Sequence, residues 1–248
     1  MLTKEQLREY REKLPLHVIE QDYLENLVLN ILYQRTEDLV FKGGTCLRKF
    51  YGLDRYSQDL DFTVRNGTPE KLVKNLPKRL LHLGVESRII QKHRKDGFLF
   101  KLQYKGPLYT GRPITQGSIE LDLSRREKIL LEPEWKVGRS RYPEVRTLRA
   151  LCLKEEEILA EKIRALTQRT QPRDLYDIWF LTELGIQVRK ELVQKKLETV
   201  EIEDIPKEVL NKFSKKGYQE DLKNLVINPP SYQTVLQKVK TVLSQINK

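Results

Sequence analysis

The spacing of apolar and polar positions divides the chain into two stretches of different character. Val18, Ile19, Tyr23, Leu24, Leu27, Ile31 and Leu32 recur at helical intervals, which predicts a long amphipathic helix over 17–33. A shorter helix over 4–13 precedes it and is stopped near Pro15. Apolar runs at 38–42 and 59–64 read as strands with a helix over 45–51 between them. Pro69 opens a helix reaching about residue 83, and Pro77 marks a kink or break inside it. After Gly84 the period falls to two. The segments 85–91, 97–104 and 118–124 read as strands separated by Lys-Asp-Gly and Gly-Arg-Pro turns, with 148–153 a further candidate. From Lys154 onward every periodic segment is helical: 154–168, 173–184, 190–200, 206–211, 218–226 and 232–245. The pattern predicts an α+β fold: a sheet-containing domain with N-terminal helices over 1–150, then an all-helical domain over 151–248.

Composition narrows the classes. No apolar run approaches the ~18 residues of a membrane span, and the N-terminus leads into a charged helix instead of a signal peptide, so a cytoplasmic protein without a membrane partner is expected. Cys46 and Cys152 are too few for a disulfide framework and lack metal-binding spacing. The formal net charge is +11, and residues 71–112 hold eleven Lys or Arg against only Glu86 and Asp96. Such clustering is either a solvated surface or the electrostatic footprint of a polyanion binder, with Tyr104 and Tyr109 in range to stack on bases.

The chemistry concentrates between Phe41 and Phe62. Asp59 and Asp61 are two apart on a strand and so share a face, while Leu60 and Phe62 turn inward. Two acids side by side repel, and a divalent cation with a phosphate between them would relieve this. The preceding Lys42-Gly43-Gly44-Thr45 has two readings. Glycines let backbone N–H groups approach a phosphate and Thr45 adds a hydroxyl; alternatively this is a strand-to-helix turn with Thr45 as N-cap. Asp122, in an apolar strand, is a third candidate metal ligand, and the oxygen set suits Mg²⁺ or Mn²⁺. Ser57 falls on the face of Asp59 if that strand extends backward, where a phosphate would add charge beside the metal site. In the helical part, Lys162 lies inside the apolar stripe of Ile158, Leu159, Ile163 and Leu166 and requires a partner. Asp177 in the next helix is the better candidate for the site. Asp174 suits the helix dipole, and Arg173 is spaced to pair with Asp177.

Taken in order, Lys-Gly-Gly-Thr, Arg55-x-Ser57-x-Asp59-Leu-Asp61-Phe, Ile-x-Leu-Asp and Glu-Lys162-x-x-Ala165-x-x-x-Arg169-x-x-x-Arg173-Asp174-x-x-Asp177 resemble the AbiEii/AbiGii toxin family over about residues 15–185. These are nucleotidyltransferases of the DNA polymerase β-like superfamily, and they include the MenT toxins of type IV toxin–antitoxin systems. The resemblance implies a polymerase β-like mixed sheet followed by a helical domain that closes the cleft. It also implies transfer of NMP from an NTP with release of pyrophosphate. Asp59 and Asp61 would hold Mg²⁺, Gly44-Thr45 and Lys162 would hold the triphosphate, and Asp177 with Asp174 and Arg173 would face the nucleotide. Lys42, Gly43 and Ser57 join the nucleotide-binding candidates, and Arg55 supports the site. The implied acceptor is RNA, specifically a tRNA 3′ end, and the implied partner is a separately encoded antitoxin. Two alternatives stand beside this: a nucleotidyltransferase acting on a small molecule or a protein hydroxyl, and a non-catalytic basic RNA-binding module.

Overall fold

The computed structural model describes residues 1–11, 14–197 and 207–246. It divides into two compact units, 1–153 and 154–248. In chain order the first contains α1 (Lys4–Glu9), α2 (Leu16–Tyr33), β1 (Leu39–Lys42), α3 (Gly43–Tyr51), β2 (Asp59–Val64), α4 (Glu70–Lys74) and α5 (Leu76–His82). It continues with β3 (Glu86–Arg94), β4 (Gly97–Lys105), β5 (Gly117–Ser124), β6 (Glu134–Arg139) and β7 (Thr147–Cys152). The seven strands form one sheet in the order β3-β4-β5-β2-β1-β7-β6. It is mixed: β2 runs parallel to β5 and β1 parallel to β7, and the remaining pairs are antiparallel.

Side-chain alternation gives the sheet two faces. Phe41, Leu60, Phe62, Phe100, Leu102, Ile119, Leu121 and Leu123 are fully buried. Helix α2 packs across β5 and β7 and α5 against β3. The rings of Phe41 and Phe62 are 5.2 Å apart at the centre of this core, where π-faced packing adds to simple area burial. Helix α1 is short and is held by a reciprocal cap, Thr3 N–H to Gln6 Oε1 at 2.9 Å and Gln6 N–H to Thr3 Oγ1 at 3.2 Å.

A polar cluster buried between α2 and α3 fixes the helix that follows the glycine turn. Lys49 reaches Asp22 and lies 3.4 Å from Glu25, Arg48 lies 3.2 Å from Asp22, and the Tyr142 hydroxyl donates to Asp22 at 2.7 Å. Burial pushes the Glu25 carboxyl up from 4.5 to about 8, with Lys49 opposing and Asp22 reinforcing the rise.

The second unit is helical: α6 (Glu155–Gln168), α7 (Pro172–Glu183), α8 (Lys190–Leu197), α9 (Lys215–Leu222) and α10 (Tyr232–Ile246), with a 3₁₀ turn over Lys207–Lys212. Among the described residues no helix is long and apolar enough to cross a membrane.

Several boundaries differ from the periodicity. The helix expected over 69–83 is two, broken at Asn75, because Pro77 sits in the first turn of α5, where a proline costs no hydrogen bond. In place of the helix expected over 206–211, the described residues Lys207–Lys212 form a 3₁₀ turn. Strand β6 was not foreseen: its residues are largely half-exposed, so its apolar signal is weak. The ends of the helices expected over 4–13 and 190–200, and Pro206, lie outside the described residues.

An acid whose folded-state value is raised favours folding below its unfolded value and loses that contribution as pH climbs through the raised one. Glu25→Gln should therefore raise the melting temperature relative to wild type at pH 9 and do so less at pH 6, in paired thermal melts.

Candidate active site

The site in the first unit is built by the register of three strands. In the parallel β2–β5 pair, Asp59 lies opposite Glu120 and Asp61 opposite Asp122, so four carboxylates project from one face. On the other side of β2, Lys42 of β1 lies opposite Asp61. Its ammonium is 3.2 Å from Glu127, a buried acid that also pairs with Arg126 at 3.1 Å. At the far end of β4 the hairpin turns back so that Arg94 forms an ion pair with Asp122.

A cavity of about 150 Å³ opens here, lined by Lys42, Asp61, Arg94, Lys95, Asp122 and Arg126, with Asp96 and Ser124 at its margin. Burial raises the Asp122 carboxyl above its usual range, the neighbouring Asp61 raises it further, and Arg94 and Lys42 pull it back. Acids repelling one another beneath a ring of cations can receive a divalent ion together with an anionic ligand. Two adjacent hard-oxygen carboxylates fit Mg²⁺ or Mn²⁺, which complete their shells with water and phosphate oxygens. Among the described residues no group of three or more His, Cys, Asp or Glu is gathered for metal binding, so Asp59, Asp61 and Asp122 are aligned without forming a closed three-ligand set.

The glycine turn shows why small residues are needed. Gly43 is left-handed (φ +75°), and a Cβ there would collide with Asp61 Oδ2. A Cβ on Gly44 would strike the Arg55 guanidinium and come within 2.9 Å of Ser57 Oγ. Arg55 is buried and donates to the Tyr56 carbonyl at 2.8 Å. The backbone of the turn therefore rests directly on the acid-bearing strand. Thr45 is neither the N-cap nor exposed toward an anion: Lys42 precedes the helix without a side-chain cap bond, and the buried Thr45 hydroxyl donates to the Asp59 carbonyl at 2.6 Å, tying α3 to β2. Because β2 begins at Asp59, Ser57 lies in the preceding loop beside Gly44 and not on the strand face.

In the second unit, Lys162 finds the partner its position demands. Its ammonium lies 2.9 Å from Asp174 and 2.7 Å from Asp177, both fully buried. Arg169 clasps Asp174 with two bonds of 2.8 and 3.0 Å. Burial pushes Asp174 up, but Lys162 and Arg169 outweigh it and hold the carboxyl at about 2. Arg173 does not pair with Asp177; its guanidinium donates to Gln171 at 3.2 Å and its backbone N–H to Asp221 at 2.9 Å, since Lys162 already takes that carboxylate.

Arg94, Lys95 and Arg126, which line the first-unit cavity, and Glu127, which pairs with two of its cations, escaped the motif reading. The Lys-Asp-Gly turn was legible, but not that it folds back over Asp122. Tyr104, expected to stack on bases, is buried in the core.

A family model for the nucleotidyl transferase AbiEii toxin of type IV toxin–antitoxin systems matches residues 29–241. The chain belongs to the AbiEii toxin family. It is a nucleotidyltransferase, and membership implies an NTP substrate and an antitoxin partner. MenT4, a nucleotidyltransferase toxin from Mycobacterium tuberculosis H37Rv, shares the fold with a TM-score of 0.75 at 18% identity, over 100% of this chain and 90% of that one. JHP933 from Helicobacter pylori aligns with a TM-score of 0.55 at 17% identity, over 94% and 95% of the two chains. No curated protein matches the chain significantly.

Lys162→Met leaves two buried carboxylates short of a cation and should destabilise the AbiEii chain by about 3–5 kcal/mol in urea titration. The stability that Asp174 contributes is present above its unfolded value of 3.8 and should be lost as pH falls toward 2; Asp174→Asn should flatten that part of the acid-unfolding curve.

Proposed function

We propose that this toxin transfers NMP from an NTP to the 3′ end of an RNA, a tRNA in the first instance, in a reaction dependent on Mg²⁺ or Mn²⁺. The observation that carries the reading is the in-register pair Asp61 and Asp122 at the floor of a cavity rimmed by Lys42, Arg94, Lys95 and Arg126. Acids and cations interleaved on one surface match a triphosphate with its metal better than either charge alone would.

The acceptor hydroxyl oxygen attacks the α-phosphorus, the bond from that phosphorus to the β-phosphate bridging oxygen breaks, and pyrophosphate leaves while the hydroxyl proton passes to solvent. A divalent ion held by Asp61 with Asp59 or Asp122 would neutralise charge on the phosphate oxygens and lower the pKa of the attacking hydroxyl. The chain's own residues position and compensate. Lys42, Arg94, Lys95 and Arg126 offset the triphosphate charge, and the Gly43-Gly44 backbone lets phosphate approach β2 closely. Lys162, to which the family resemblance gives a part in holding the triphosphate, has its ammonium fixed within its own unit by Asp174 and Asp177. Glu127 pairs with Lys42 and Arg126 and so balances part of the cationic charge beside the acids.

The basic character of β3 and β4 favours RNA over a small-molecule or protein acceptor, neither of which needs an extended cationic surface. Incubation with each labelled NTP, Mg²⁺ and total RNA tests this. Label should appear on RNA, and label confined to protein or to a small product would overturn the acceptor. Asp61→Asn should lower transfer by ~10²–10³-fold. Because it removes like-charge repulsion with Asp122, its melting temperature should equal or exceed that of wild type. An inactive but destabilised variant would point to a structural role instead.

A further inference from the structure

Strand β3 is the sheet's edge, and alternation puts Arg88, Ile90, Lys92 and Arg94 on one of its faces. On that same face the register sets Lys101 opposite Ile90, and Leu99, opposite Lys92, beside Asp122. Arg94 lines the cavity over the acid pair. Six residues back, about 20 Å at a strand's rise, Arg88 lines a second and larger cavity of about 680 Å³. Its walls combine apolar Pro77, Leu81 and Pro113 with Lys78, Lys105 and Tyr109. Leu81 is 58% exposed and Ile114 on the adjoining turn 87% exposed. The Lys105 ammonium lies 5.4 Å from the centre of the Tyr109 ring and pairs with Glu86, which neutralises the acid bordering the groove. Arg88 donates to the neutral Gln103 at 2.7 Å. Among the described residues Lys78, Lys92 and Lys101 have no carboxylate in ion-pair range.

A groove with an apolar floor, one aromatic ring and unneutralised cations, joined by a row of cations to the cavity over the acid pair, has the chemistry of a single-stranded nucleic-acid path. We propose that β3 is a track for a single strand of the acceptor RNA, with a base of that strand stacked on Tyr109 in the groove and its phosphates on Lys78, Arg88 and Lys92. This rests on the RNA-acceptor reading above and goes beyond it by placing a holding site about 20 Å from the transfer chemistry. It follows that a mononucleoside acceptor is too short to use the track, so recognition of the acceptor and reaction at its end are separable.

The test measures binding and transfer independently. Fluorescence anisotropy with a 5′-labelled single-stranded RNA of about 12 nucleotides, titrated across a salt series, reads the track without requiring catalysis. Tyr109→Ala should weaken binding about tenfold while Tyr109→Phe retains it. The Lys78→Ala and Arg88→Ala pair should weaken binding and make the dependence of log K on log salt shallower by about 1.4 units. Wild-type affinity and slope in these variants, or no RNA binding by the wild-type protein, would overturn the track. If the wild type labels RNA and the groove variants bind it normally, the track is wrong and the acceptor reading stands. If the groove variants lose RNA binding while no NTP labels any RNA, the track stands and the acceptor reading fails.

Discussion

The parallel pairing of β2 with β5 brings Asp61 and Asp122 side by side, and much of the first unit is arranged around the repulsion that results. Like charges facing one another across adjacent strands oppose folding. The fold offsets this with Lys42 from the other neighbour of β2 and Arg94 from the hairpin beyond β4. Neither cation is adjacent in sequence to the acid it serves. The two glycines complete the arrangement, because only a chain without a Cβ at Gly43 can pass so close to the Asp61 carboxylate.

A second buried polar layer lies behind the first. Asp22, Glu25, Arg48 and Lys49 join α2 to α3, and the Thr45 hydroxyl joins α3 to β2. Helix α3 is thus fixed at its N-terminal turn by one hydrogen bond to the backbone of β2 and along its length by buried charge. Directional bonds of this kind specify one orientation where apolar packing alone would allow several. The second unit uses the same device: Lys162, Arg169, Asp174 and Asp177 form a compensated cluster joining α6 to α7. Breaking such clusters costs more than forming them gains, which makes each a point of rigidity.

What was legible in the sequence and what was not follow from the range of each signal. Asp59 and Asp61 announce a shared face because strand alternation is local, and Lys162 announces a buried partner because helical periodicity is local too. The register that sets Asp122 against Asp61 is a long-range pairing, so Asp122 could be named as a candidate but not placed. Arg94 and Glu127 carried no local signal, since an arginine beside a turn and a glutamate in a basic loop are ordinary surface residues until the sheet closes. Thr45 and Tyr104 failed in the opposite direction. A hydroxyl after two glycines reads as a cap and a tyrosine among lysines reads as a stacking ring, yet both side chains are drawn inside by neighbours far along the chain.

The ion pair between Arg94 and Asp122 sets the hairpin tip directly on the carboxylate floor of the candidate site. In the proposed reaction a divalent cation at the Asp122 carboxylate and the Arg94 guanidinium would be rivals for the same oxygens, so whatever draws the tip aside would strengthen metal binding, and by reciprocity the metal would loosen the tip. The edge hairpin and the carboxylate floor would then constitute one thermodynamic unit, in which the occupancy of either is reported at the other.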